Sequence, residues 1–171
     1  MSRYKRIYLP NHYYFFTVVT ANRNPLFVDD KNVRLLKAAF RYVRLRRSFK
    51  TEAICIMPDH LHCIWKMSDD CNYSMRWQMI KTYFSRRFRH QNPGLKQTEI
   101  WQPRYWEHVI RDQGDFEKHI DYIHYNPVKH GLVESVKDWR YSSFKKYLAQ
   151  GYYDADWGCD EPVSIVAMRC E

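Results

Sequence analysis

No stretch of this 171-residue chain approaches the roughly 18 to 20 consecutive apolar residues that a membrane-spanning helix requires. Positive charge opens the chain at Arg3, Lys5 and Arg6, but no apolar segment follows, so a secretory signal is not expected. The five cysteines, Cys55, Cys63, Cys71, Cys159 and Cys170, are odd in number and form no CxxC, which speaks against a disulfide framework and points to a reducing, cytoplasmic setting. Internal repeats and low-complexity tracts are also missing. The length suits one compact domain with its own core, expected over residues 1–150. Residues 151–171 carry several acidic groups and little periodicity, and read as a C-terminal extension rather than a second domain.

What the chain has in plenty is positive charge and aromatic rings. The formal net charge is +9, the sequence pI is about 9.3 and aromatics make up 17%. A phosphate backbone is the commonest partner for such a surplus. The charge is clustered, with Arg41, Arg44, Arg46, Arg47 and Lys50 in one patch and Lys81, Arg86, Arg87 and Arg89 in another. Trp77, Tyr83, Phe84 and Phe88 interleave with the second patch. That pattern suits stacking on unpaired bases, or equally a solvated helix face whose other side is core.

Residues 13–20 (YYFFTVVT) are β-branched and aromatic throughout, the composition of a buried strand. A turn at residues 22–25 leads to a helix, capped by Asp29 or Asp30, in which Val33, Leu36, Phe40 and Val43 recur at helical spacing. Residues 52–57 and 61–67 read as two strands of a hairpin broken by Pro58-Asp59. A second helix, capped by Ser74, runs to Asn92-Pro93-Gly94. After a polar loop at 97–104 comes a fourth strand at 106–110. A third helix opens at Asp115 and is expected to stop at Asn126-Pro127, because the residue before proline avoids the helical region. Residues 142–149 form a last short helix. The order β-α-β-β-α-β predicts an α+β, ferredoxin-like fold: a four-stranded antiparallel sheet with helices on one face, plus C-terminal helices.

Two constellations carry chemistry. His60-Leu61-His62 starts the third strand, where residues i and i+2 share a face, so the two imidazoles project together and can converge on one divalent ion. A structural zinc would need two further strong ligands, and Cys63 faces away while Cys55 lies on the neighbouring strand. Mg²⁺ or Mn²⁺ suits such an open site better. On the third helix, Phe116, Ile120 and Ile123 define the buried stripe. His119, Tyr122 and Asn126 fall together on one flank, and Tyr125 is directed towards water. Tyr122 is thereby presented beside two potential ligands, although a packed helix-edge tyrosine has the same spacing.

Three segments together are far more specific than the lone HxH: MPDHLH at 57–62, IWQPRYWEHVIR at 100–111 and DYIHYNPVKHG at 121–131. With residues 6–20 and 138–143, they resemble the REP-associated tyrosine transposases, a branch of the HUH single-tyrosine transposases. The resemblance covers about residues 4–147, in the expected order. It implies cleavage and rejoining of single-stranded DNA at REP hairpins through a 5′-phosphotyrosine intermediate. His60 and His62 match the metal pair and Tyr122 the nucleophile. Asn126 falls where relatives often supply a third ligand, usually glutamine, with His119 as the alternative. Arg3, Lys5, Arg6, Arg86, Arg87 and Arg89 are candidates for gripping the DNA. No membrane partner or small-molecule cofactor is expected, and a nucleoid-associated monomer or weak dimer is. The rivals are a hairpin DNA- or RNA-binding module that does not cut, and a metal-dependent hydrolytic nuclease.

Overall fold

The computed structural model describes residues 6–96, 100–166, 168 and 170. Strand β1 (Tyr13–Val19) is followed by helix α1 (Asp30–Arg44), the hairpin β2 (Phe49–Ile56) and β3 (His60–Met67), helix α2 (Tyr73–Gln91), strand β4 (Trp106–Val109), helix α3 (Gln113–Lys129) and helix α4 (Phe144–Ala149). The sheet order is β2-β3-β1-β4 and every pairing is antiparallel, as the ferredoxin-like plan requires. None of the described helices is long and apolar enough to cross a membrane.

Alternation along the strands divides the interior in two. Tyr14, Phe16, Val18, Leu61, Cys63 and Trp65 face α1 and α2, where they meet Leu36, Val43, Trp77, Ile80 and Phe84. Phe15, Cys55 and Ile64 face the other way, against Ile120, Tyr122, Ile123 and Phe144. This second layer also takes in the described end of the chain, since Tyr153, Ile165 and Cys170 are buried in it.

Several boundaries differ from the sequence expectation, each for a local reason. β2 begins three residues earlier, at Phe49, whose ring packs 4.2 Å from that of Trp65. Asn72, not Ser74, caps α2, accepting from the Met75 N–H. Ser74 lies inside the helix and binds Arg6, Tyr8 and Tyr105 instead. Helix α3 starts earlier, with Asp112 as its cap. It also runs through Pro127, whose ring removes only one donor in the last turn. The stop is Gly131, at φ 65°: Leu132 N–H reaches the Pro127 carbonyl and Gly131 N–H the Val128 carbonyl, a Schellman ending. Tyr125 is buried rather than wet, because Trp157 and Gly158 from beyond residue 150 close over it. Trp77, Phe84 and Phe88 are core residues and not free for bases; of the rings interleaved with the second basic patch, Tyr83 alone is half-exposed, and Arg87 lies over it.

One hydrogen-bond chain ties these layers. Ser143 Oγ accepts from the Ile54 N–H (2.9 Å) and lies 2.8 Å from His124 Nε2, to which it donates. His124 Nδ1 is 3.0 Å from the Tyr153 hydroxyl, which in turn donates to Asp121 (3.0 Å). Ser164 donates to the other Asp121 oxygen at 2.7 Å. Strand β2, helix α3 and the chain end are thus joined through one imidazole. Burial pushes His124 down to about 3 from its ordinary 6.5. The unfolded chain takes up this proton near 6.5 and the native one only near 3, so the contribution is complete above 6.5 and is lost as pH falls towards 3. His124→Gln is expected to be less stable at pH 7 and to lose less further stability by pH 4 than the parent, measured by urea unfolding. Parallel losses in both proteins would contradict this.

Candidate active site

The register of β1 builds one side of the site. Thr17 stands opposite His62 on β3 and opposite Trp106 on β4, while Val19 pairs with His60. These residues share the face that α3 covers. His60 and His62 bring their ring centroids to 4.7 Å with planes 78° apart, and both are buried.

Their neighbours fix which nitrogen each presents. Thr17 has a single hydroxyl proton and gives it to the Cys170 carbonyl at 2.6 Å. It must therefore accept from His62 Nδ1, 2.9 Å away, which places that ring's lone pair on Nε2. His60 Nδ1 lies 2.5 Å from the Asp59 carboxylate, and its Nε2 is likewise the atom carrying the lone pair. A carboxylate or hydroxyl behind each imidazole is the arrangement that orients metal-ligating histidines. Burial works against ionised Asp59, but the bonds from His60 and Arg23 outweigh it and hold its pKa below the usual value.

Helix α3 supplies the opposite wall. Tyr122 packs its ring 5.2 Å from His62, and His130, two turns on, lies 5.4 Å from His60. Asn126 falls between them, one turn from each. It is completely buried, and neither its amide oxygen nor its nitrogen has a partner among the described residues; the same holds for His60 Nε2. Leaving such groups without partners costs about 1–3 kcal/mol each. Unpartnered lone pairs on a buried imidazole and a buried amide, with a second imidazole 4.7 Å from the first, are a donor set that suits a divalent cation. His119 sits elsewhere. Its Nδ1 contacts the Asp115 carbonyl at 2.7 Å and its ring stacks on His108, with Phe15 packed against it at 4.8 Å. Burial is the main cause of its lowered pKa.

Comparison with other proteins agrees with this architecture. The family model described as Transposase IS200 like matches residues 8–126. The chain belongs to that transposase family. A REP-associated tyrosine transposase of Escherichia coli is 41% identical over 161 residues, spanning 94% of this chain and 93% of its own. A Haemophilus influenzae protein, provisionally given the same name, is 39% identical over 173 residues, covering 96% and 98% of the two chains. A solved structure of a REP-associated tyrosine transposase bound to a REP hairpin superposes with a TM-score of 0.82 at 41% identity, covering 95% of this chain and 94% of that one.

In this transposase the basic residues fall in several places. Arg3 and Lys5 lie outside the described residues. Arg6 is engaged internally, 3.0 Å from the buried Glu107 and 4.4 Å over the Tyr105 ring. Arg86, Arg87 and Arg89 are exposed at the end of α2, on the side of the sheet away from Tyr122; Arg87 lies over Tyr83 and Arg89 binds the Leu95 carbonyl. A cation that the sequence reading did not single out is nearer the site. Lys129 holds its amine 4.8 Å above the Tyr122 ring. The spacing Tyr122-to-Lys129, two helical turns, was the available signal. For a cation bound by His60 and His62, Thr17→Val removes the acceptor behind His62. It is expected to lower Mn²⁺ affinity by roughly ten- to a hundredfold in calorimetric titration. Unchanged affinity would show that the Thr17 hydroxyl does not orient a ligand.

Proposed function

We propose that this transposase binds REP-type DNA hairpins and cuts and rejoins single-stranded DNA beside them, with Tyr122 as the nucleophile. The observation that carries the reading is the placement of Tyr122 against His62, one helical turn from the buried, unpartnered amide of Asn126. The close relatives named for REP association, and the matching structure bound to a REP hairpin, support the choice of DNA. The proposed catalytic residues all fall within 1–150, and the extension 151–171 packs against them, the protein acting in the cytoplasm at the nucleoid as a monomer or weak dimer.

His60, His62 and Asn126 would hold Mg²⁺ or Mn²⁺. When bound, such a cation polarises a phosphate and stabilises the charge that develops on its oxygens. The chain's own groups do the rest. Thr17 and Asp59 keep both imidazoles aimed, and His62 and the end of α3 position the phenol. The Lys129 amine favours a developing phenolate through its charge. Attack by the Tyr122 oxygen on phosphorus forms a phosphotyrosyl bond to the 5′ side and releases a free 3′-hydroxyl. The phenolic proton leaves to solvent or to a neighbouring base, and the departing 3′-oxygen takes up one proton in its place. Because one phosphodiester replaces another, a 3′-hydroxyl can later reverse the exchange without a nucleotide cofactor. Tyr122 is only 1% exposed, so the groups above it must shift for a phosphate to reach it.

A labelled REP-type hairpin with single-stranded flanks, incubated with Mn²⁺ and resolved on a denaturing gel, tests this. A covalent band is expected with the parent protein and none with Tyr122→Phe or with chelator, while hairpin binding persists in both. Cleavage that survives Tyr122→Phe would instead favour a hydrolytic nuclease, and binding without any adduct a non-cleaving module.

A further inference from the structure

Three rings stack in a column at the edge of the sheet beside the candidate active site. Trp106 lies on His108 with centroids 5.9 Å apart and planes 10° from parallel, and His108 lies on His119 at 4.7 Å and 15°. Asp115 clamps the inner two: its carboxylate is 2.8 Å from His108 Nε2 and 3.2 Å from His119 Nδ1. The carboxylate is itself pinned by the Arg111 N–H at 2.9 Å.

His108, Asp115 and His119 bring their donor atoms within 4.8 Å of one another, as a metal site would. The near-parallel rings argue against that use. Imidazole lone pairs lie in the ring plane, so those of two stacked rings run side by side instead of converging. The cluster is better understood as the rigid base of the stack. At its outer end, Trp106 remains 41% exposed on the edge strand, and its ring partners among the described residues are His108 and the edge-on Phe15.

We infer that Trp106 is a stacking platform for an unpaired nucleobase next to the phosphate that is cut, an inference that rests on the proposed DNA-processing function. A base would add a fourth ring to a column already fixed in place, so little side-chain freedom is lost on binding. The location fits. Trp106 pairs across the strands with Thr17, whose hydroxyl binds His62, and Phe15 touches both Trp106 (5.6 Å) and Tyr122 (6.0 Å). Trp106 is thus one ring contact removed from the nucleophile. On α2, Trp77, Phe84 and Phe88 are core, and the half-buried Tyr83 lies under Arg87 on the side of the sheet away from Tyr122. Every base offers a π face, so the platform would hold the flanking strand without selecting its sequence.

The test measures affinity, in the Tyr122→Phe background, for a hairpin alone and for the same hairpin with short single-stranded flanks. The flanks are expected to tighten binding. Trp106→Ala should remove about tenfold of that gain, Trp106→Phe should restore most of it, and neither should alter binding to the bare hairpin. Flanked DNA bound as tightly by Trp106→Ala as by its parent would overturn the platform and leave the proposed function intact. So would flanks that add nothing to the parent's affinity. A parent that binds neither DNA would remove the proposed function and this inference together.

Discussion

Strand β1 lies between β3 and β4 in a register that sets Thr17 beside His62 on one side and Trp106 on the other. Nearly everything about the site follows from that alignment. Strand side chains alternate, so a slip of one residue would turn Phe15, Thr17 and Val19 to the face that α1 and α2 cover and separate Thr17 from the imidazole it orients. The register is held by burial on both faces. Tyr14, Phe16 and Val18 fill one core and Phe15 the other, and no shifted pairing keeps both filled.

Helix α3 completes the arrangement by using each of its sides. One side carries Tyr122 and His130 to the β3 histidines, with Asn126 one helical turn from each. Another carries His119 to the column under Trp106. A third carries His124 into the hydrogen-bond chain with Ser143 and Tyr153. A helix so committed cannot rotate or slide without breaking buried polar contacts, and the low interior dielectric makes such losses costly. The placement of Tyr122 is thus held in part by His119 and His124, which lie outside the candidate site.

Much of this was legible in the sequence because local pattern and global fold agree. The unbroken β-branched and aromatic run of β1, buried on both faces, the helical spacing of Val33, Leu36, Phe40 and Val43, and the Pro58-Asp59 break between β2 and β3 each mark an element by local pattern alone. The i, i+2 histidines and the flank carrying Tyr122 and Asn126 follow from the same periodicities. What local pattern could not supply was the contact between distant segments. The chain end buries Tyr125 and gives Thr17 its acceptor at Cys170, and neither partner is visible from spacing. His119 shares a flank with Tyr122, yet β4 draws it to His108. Pro127 looked like a helix stop, but Gly131 provides the real one through a left-handed turn. The aromatics of α2 resembled base platforms, and the exposed Trp106 was hidden in a motif, because exposure belongs to the tertiary structure.

The central claim is that one tyrosine, held against the histidine pair, exchanges its phenolic proton for a phosphodiester. It is tested most directly by trapping the protein on flanked hairpin DNA with Mn²⁺, digesting both components, and sequencing the nucleotide-bearing peptide by mass spectrometry. The account predicts one modified peptide, with a 5′-phosphonucleotide on Tyr122. Attachment at another residue, or cleaved DNA with no attached peptide at any time, would contradict it.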